Sequence, residues 1–232
     1  MISNDNVLKA LLGHCSNYGE HDYRLTMLPF SHCFGGICEL LFNMRFGVTV
    51  CINSSFQQLF KEFLIYQPYS TDVVPMVAKL IYKEINKLAK QNPNTPLKEL
   101  KSRVVGDNLR LIICSGAQMD SSYIKFFEKI DIELQQCYGM TECSTAITQP
   151  VLKNENTINS VGTVNKFCQV RSKDGEIQIK GPIVMLGYYK NKEETDKVID
   201  KDGWLSTGDM GYVDKNGFLY ITGRKKNLII LS

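Results

Sequence analysis

The chain has 232 residues, 44% of them hydrophobic and 22% charged, enough to bury a sizeable core as one large domain or two small ones. Its 27 Lys and Arg against 24 Asp and Glu leave a net charge of +3, which argues against nucleic acid as a partner while leaving room for a local basic patch. No apolar run reaches the roughly 18–20 residues of a membrane helix, and Met1-Ile-Ser-Asn-Asp-Asn6 lacks the basic and apolar regions of a signal peptide.

From Gly47 to about Gln136, β-rich runs alternate with helical stretches. Gly47-Val-Thr-Val-Cys-Ile52 reads as a buried strand. Phe56, Leu59, Phe60 and Phe63 then recur at helical spacing up to Tyr66. Thr71-Asp-Val-Val74 reads as a short strand stopped by Pro75. Val77, Leu80, Ile81, Ile85 and Leu88 make one stripe of a second helix, with Lys79, Lys83, Glu84 and Lys87 on its wet side. Pro93 and Pro96 punctuate a loop. Leu109–Cys114 reads as a strand, Ser121–Lys129 as a helix and Ile132–Gln136 as a last strand. This rhythm predicts an α/β fold, a parallel sheet covered by helices, over residues 1–150.

After Pro150 the turns come faster. Lys173-Asp-Gly175, Lys201-Asp-Gly203 and Lys215-Asn-Gly217 are turn signals between alternating runs such as Glu176-Ile-Gln-Ile-Lys180 and Gly217-Phe-Leu-Tyr-Ile221. Residues 151–223 are therefore expected to form a small antiparallel, barrel-like subdomain. The eight cysteines show neither C-x-x-C pairs nor His at zinc-ligand spacing. Reduced thiols in a cytoplasmic protein are the expectation, with Cys51 and Cys114 as small hydrophobes. The chain stops directly after Leu228-Ile-Ile-Leu231, an ending that suggests truncation.

Four stretches could carry chemistry. Gln136-Cys-Tyr-Gly-Met-Thr-Glu142 follows a predicted strand, where ligands of parallel sheets bind. Gly139 permits close backbone approach, Tyr138 offers a face for stacking, Thr141 a hydroxyl for phosphate and Glu142 a hard oxygen for Mg²⁺. The same string also fits a plain turn with Tyr138 in the core and Glu142 solvated. Cys114-Ser-Gly-Ala-Gln118 could read a purine edge through its backbone, or simply end a strand with small residues. In Gly203-Trp-Leu-Ser-Thr-Gly-Asp209 and Ile221-Thr-Gly-Arg224, a carboxylate and an arginine could take ribose hydroxyls or phosphate. Equally, Asp209 could cap a turn and Arg224 belong to a surface charge run. His32, in Leu28-Pro-Phe-Ser-His-Cys-Phe-Gly-Gly36, reads as well as a hydrogen-bonded core residue as a catalytic one. G-x-S-x-G, G-x-x-x-x-G-K-[ST] and G-x-G-x-x-G are all absent.

In their order and spacing these strings resemble one family. Leu28-Pro-Phe-Ser-His32, Ser115-Gly-Ala117, Tyr138-Gly-Met-Thr-Glu142, Gly175–Gly181 with Gly187-Tyr188, Gly203–Asp209 and Gly223-Arg-Lys-Lys226 follow the pattern of the adenylate-forming superfamily. That superfamily includes acyl- and aryl-CoA ligases, firefly luciferase and peptide-synthetase adenylation domains. Gly223-Arg-Lys-Lys-Asn-Leu-Ile-Ile230 looks most like its fatty-acyl-CoA ligases.

The resemblance implies the following roles. Tyr138 stacks on adenine, with Gly116, Ala117 and Gln118 at its edge and Gly139 and Met140 in the same nucleotide-contacting string. Thr141 holds the α-phosphate, Glu142 coordinates Mg²⁺, and Asp209 binds the ribose with Arg224 close by. His32 borders the acid pocket, with Val74, Pro75 and Met76 in its wall. Lys226 sits in a hinge (224–232) before a lid domain. The implied reaction takes ATP, Mg²⁺, a carboxylic acid and coenzyme A, through an acyl-adenylate.

The family's Ser/Thr/Gly-rich phosphate loop and its lid are not in the sequence, so a partial enzyme with feeble adenylation is expected. Self-association through uncovered sheet edges and helix faces is expected too. The alternatives are an adenylation domain that loads a carrier protein and a non-catalytic nucleotide-binding remnant.

Overall fold

The computed structural model describes residues 1–13, 22–145, 147–151, 154 and 157–227. It divides into two compact units: an α/β unit of Ser16–Gln136 with Leu152–Asn154, and a β unit of Met1–Cys15, Cys137–Val151 and Glu155–Ser232. The change of texture after Pro150 falls inside the β unit, which also takes in the amino-terminal helix and 137–151.

The first helix, α1 (Asn4–Gly13), belongs to the β unit. Its start is a reciprocal box: Ser3 N–H donates to Asn6 Oδ1 at 2.8 Å, and Asn6 N–H to Ser3 Oγ at 3.1 Å. Each side chain satisfies a backbone donor that the first turn leaves open.

In the α/β unit, β1 (Tyr23–Thr26) runs into a loop and a helix that is π-helical over Phe34–Leu41 before α2 (Phe42–Arg45). Then come β2 (Thr49–Ile52), a 3₁₀ turn at Phe56–Gln58, α3 (Leu59–Tyr66), β3 (Ser70–Val73), α4 (Pro75–Gln91), α5 (Leu97–Val105), β4 (Leu111–Cys114), α6 (Ser121–Lys129) and β5 (Glu133–Gln136). All pairings are parallel, in the order β2-β1-β3-β4-β5.

The periodicities account for most of these elements. Val77, Ala78, Ile81 and Ile85 are the buried stripe of α4, which begins on Pro75, where the missing N–H costs nothing. Asp120 caps α6 by accepting from Ser122 N–H at 2.8 Å. Central β3 and β4 are buried at every position. The expected buried strand at Gly47–Ile52 is corrected: β2 is an edge strand, and Ile52 is 61% exposed.

Three elements of this unit were not expected. β1 carries Arg24 in its middle, the helix over 34–45 mixes glycines with Glu39, and α5 follows closely on two prolines. In the order 2-1-3-4-5 the chain reverses direction of travel across the sheet between β1 and β3, and in sheets of this kind ligands bind beyond the carboxyl ends of the strands at that point.

In the β unit, β6 (Thr148–Gln149) pairs with β7 (Thr163–Val164). β8 (Gln169–Lys173), β9 (Glu176–Lys180), β10 (Leu205–Val213) and β11 (Leu219–Arg224) form an antiparallel sheet in the order β11-β10-β9-β8, with α7 (Lys192–Val198) between β9 and β10. Asp174-Gly175 is the two-residue turn of the β8–β9 hairpin, where the turn signal was read. Ile177, Ile179, Ile183, Met185, Leu205 and Leu219 are among the buried aliphatics of the β unit. None of the seven described cysteines is in a disulfide, and Cys114 and Cys143 are buried. No helix among the described residues is long and apolar enough to cross a membrane. The apolar run Leu228-Ile-Ile-Leu231 lies outside the described residues.

Candidate functional site

The β unit gathers Tyr138, Asp209 and Arg224 at one place. Asp209 on β10 faces Arg224 on β11 in the antiparallel register. Its Oδ1 stands 3.1 Å from Arg224 Nε, and its Oδ2 accepts the Tyr138 hydroxyl at 2.6 Å. The Asp209 side chain is 9% exposed and that of Arg224 74%, so the pair is closed on the carboxylate side and open on the guanidinium side. Burial first, then the bond to Asp209, pushes the Tyr138 phenol well above its ordinary range. It therefore stays a hydrogen-bond donor at neutral pH.

Supports surround this group. Thr207 Oγ1 accepts the Asp209 N–H at 3.1 Å and donates to the Ile177 carbonyl at 2.8 Å. Glu176 accepts the Gly208 N–H at 3.0 Å with one oxygen and meets Lys225 Nζ at 2.6 Å with the other. Lys225 is thus tied to the sheet, while Lys226 beside it is exposed in the 3₁₀ turn Lys225–Asn227.

The string after β5 is a tight turn. Tyr138 N–H donates to Thr148 Oγ1 at 2.8 Å, and Thr148 N–H returns to the Tyr138 carbonyl at 3.0 Å. Thr145 N–H and Cys143 N–H both donate to the Met140 carbonyl, at 2.9 and 3.0 Å. A Cβ on Gly139 would stand 1.7 Å from the Thr145 carbonyl oxygen, so only glycine closes this turn.

Thr141 is exposed and Glu142 half-buried. Glu142 Oε1 accepts the Tyr188 hydroxyl at 3.0 Å, and burial together with that bond raises the Tyr188 phenol. Glu142's own carbonyl accepts Met185 N–H at 2.7 Å. Tyr188, Thr207 and Glu176 as supports escaped the sequence reading. Distant partners leave no local signal, although Tyr188, Thr207 and Glu176 all lie inside strings already singled out.

In the α/β unit the remaining candidates sit past the carboxyl ends of β1, β3 and β4. His32 is exposed, and its Nδ1 accepts the Phe34 N–H at 3.1 Å, so the alternative of a core histidine is set aside. Val74 and Pro75 are half-buried and Met76 is 65% exposed at the start of α4. Gly116, Ala117 and Gln118 are exposed after β4, with Gly116 at φ +93° and 3.8 Å, measured from a Cβ built there, from Val74 Cγ1.

Known proteins bear on this arrangement. The model of the AMP-binding enzyme family matches residues 1–189. The chain belongs to that family. The match takes in His32, Val74–Met76, Gly116–Gln118 and Tyr138–Glu142, and ends before Asp209 and Arg224.

Among its relatives, a probable 4-coumarate–CoA ligase 3 of Dictyostelium discoideum is 32% identical over 237 residues, covering 92% of the chain and 39% of that protein. The long-chain-fatty-acid–CoA ligase heimdall of Drosophila melanogaster is 35% identical over 143 residues, covering 58% of the chain and 20% of that protein. O-succinylbenzoate coenzyme A synthetase of Bacillus subtilis, solved with ATP and magnesium ion, superposes with a TM-score of 0.74 at 23% identity over 99% of the chain and 47% of its own. The chain therefore spans less than half the length of each of these proteins.

Proposed function

We infer that this AMP-binding chain serves an ATP-dependent acid–CoA ligase, with a fatty acid as the substrate class and coenzyme A as the thiol acceptor. The observation that carries the nucleotide part is the Tyr138–Asp209–Arg224 group, in which Tyr138 and Arg224, from distant stretches of the chain, both bond the Asp209 carboxylate. An aromatic ring, a carboxylate held by two donors and an open guanidinium suit an adenosine: the ring for the base, the carboxylate for the ribose hydroxyls, the cation for sugar or phosphate oxygen.

In the reaction class to which this reading belongs, a carboxylate oxygen attacks the α-phosphorus of ATP and pyrophosphate leaves. The thiol of coenzyme A then displaces AMP from the acyl carbon. Bringing an anion to a polyanion demands fixed donors and a countercharge. Thr141 supplies an exposed hydroxyl for the α-phosphate. Glu142 fits Mg²⁺: its carboxylate is half-buried and anchored at Oε1 by Tyr188, and a metal of this kind takes one or two carboxylates and keeps several waters. Bound there, Mg²⁺ would neutralise phosphate charge.

At the switch-point end of the α/β sheet, His32 with Val74, Pro75 and Met76 is assigned to the acid, and Gly116–Gln118 offer backbone groups to a purine edge. The names of the relatives span an aryl acid, a long-chain acid and succinylbenzoate, so the acid-facing residues carry the choice among them.

Calorimetry with AMP and ATP tests the nucleotide reading. Asp209→Ala should weaken AMP by about ten- to a hundredfold, the worth of one or two charge-assisted hydrogen bonds. Unchanged affinity would remove the ribose role. Pyrophosphate exchange with fatty, coumaric and succinylbenzoic acids tests the substrate class.

A further inference from the structure

Where a parallel sheet ordinarily buries aliphatic side chains, the α/β unit buries a polar layer. Register places Arg24 of β1 beside Ser70 of β3, and the two-residue strand period puts Thr26 and Asp72 on the same face. Glu39 of the π-helical segment reaches this face. Arg24, Glu39 and Ser70 are at 0% exposure, Thr26 at 1% and Asp72 at 2%. The Arg24 guanidinium pairs with the Asp72 carboxylate. Glu39 does something different. Its Oε2 accepts both the Thr26 hydroxyl and the Leu28 N–H, the latter at 3.3 Å. Asn43, one turn on, donates to the Glu39 carbonyl.

Those bonds hold the start of the loop that carries His32. The far end of the loop is held by backbone: His32 N–H donates to the Pro29 carbonyl at 3.0 Å, and Gly36 N–H to the His32 carbonyl at 2.8 Å. The loop lies so close to the helix that a Cβ on Gly35 would stand 2.3 Å from the Pro29 oxygen, and one on Gly36 2.6 Å from the Phe30 oxygen. Phe42 N–H closes the segment on the Ile37 carbonyl five residues back, a widened turn of the kind that often marks functional sites.

We propose that Glu39 is a positioning residue for His32: by bonding Thr26 and Leu28 it fixes the loop that presents the imidazole at the switch point. The proposal rests on the reading of that sheet end as the acid pocket. Burial first, and the Asp72 charge second, push the Glu39 carboxyl up to about 8, against the opposing Thr26 bond and Arg24 charge. Those two charges, on β3 and β1, are the ones that act on it. Near neutral pH the side chain is thus mostly the neutral acid, for which glutamine is a close stand-in.

NMR of the full chain labelled with ¹³C and ¹⁵N reads this out. Glu39→Gln should keep the Leu28 amide protected and the His32 ring signals in place. Glu39→Leu, apolar and suited to burial, should speed Leu28 amide exchange at least tenfold and shift the His32 ring, while Ile112 and Ile113 of β4 stay protected. If Glu39→Leu leaves both reporters unmoved, or Glu39→Gln moves them as far, Glu39 is a buried filler and the proposal falls. Should Glu39→Leu not fold, Thr26→Val removes one of the two bonds and should move the same reporters less far; no movement overturns the idea. Titrating the same wild-type sample with a fatty acid separates the failures. A His32 ring that shifts with the acid but not with Glu39→Leu sinks the Glu39 role alone, whereas a ring indifferent to the acid sinks the acid-pocket reading.

Discussion

Each unit contains an arginine–aspartate pair between neighbouring strands, and the two are opposites. Arg24 and Asp72 are 0% and 2% exposed, sealed inside the α/β unit. Arg224 and Asp209 are 74% and 9% exposed, with a phenol as third partner. A sealed pair has given up its hydration, so losing one ion strands the other. An open pair keeps its water on one side and contributes little to stability, but can exchange that water for a ligand. The α/β unit thus uses the motif as scaffold, whereas the β unit leaves the same motif open on its guanidinium side, as the proposed nucleotide role requires.

The sharpest way to break this contrast is Arg24→Met. It leaves the Asp72 carboxylate buried without its cation and should cost about 3–5 kcal/mol in urea unfolding. The double variant Arg24→Met with Asp72→Leu should recover most of that loss, because well-packed apolar replacements avoid desolvation altogether. A single-variant cost below about 1 kcal/mol would mean that the pair is not the scaffold described here.

Next in size is Gly139→Ala in the β unit. The added carbon meets the Thr145 carbonyl oxygen, which is backbone and cannot swing aside. A loss of about 1–3 kcal/mol is expected, of the order of an overpacked core. AMP affinity should fall with it, because Tyr138 is carried by the same turn. Alanine tolerated without change in either quantity would show that the turn has room to open.

Which parts of this contrast could be read in the sequence follows from the same physics. Elements with a clean period were legible: the α4 stripe, the α6 boundaries, the strands that run into Cys114 and Gln136, and the Asp174-Gly175 turn. Elements that bury charge were not. Arg24 in β1 and Glu39 in the helix over 34–45 break the apolar pattern that identifies a buried segment, and the groups that hold them, the Asp72 carboxylate for Arg24 and the Thr26 hydroxyl for Glu39, lie elsewhere in the chain. On the site side, Tyr138, Asp209 and Arg224 stand out as residue types within compact strings, but the β10–β11 register that pairs Asp209 with Arg224 and the Tyr138–Asp209 bond are visible only in the fold. Thr207 and Glu176 as supports depend on strand neighbours that no local string encodes.

The pH dependence sharpens the scaffold side. Glu39's folded-state pKa lies near 8, above its ordinary 4.5, so the folded chain holds a proton that the unfolded chain releases over that interval. Stability must then fall as pH rises from about 5 to about 8 and level off above, by at most about 1.4 kcal/mol per pH unit from this group. Glu39→Gln carries no such proton, so the difference between the two unfolding curves isolates the contribution. Parallel curves across that window would show that Glu39 is ionised in the fold.

The smallest effect belongs to the open pair. Arg224 is three-quarters exposed, so Arg224→Ala should leave the urea midpoint where it is, in contrast to Arg24→Met. Its consequence should appear in binding instead. Without the guanidinium, Asp209 keeps the Tyr138 hydroxyl and the Thr207-braced backbone, so the carboxylate stays in place. AMP affinity should drop only a few-fold by calorimetry, and less at high salt, where a solvated charge is already screened. Arg224→Lys should recover part of it, since an ammonium supplies the charge but not the planar fork. A large stability loss in Arg224→Ala with AMP affinity untouched would place this pair with the scaffold, and the two units would then differ in burial but not in purpose.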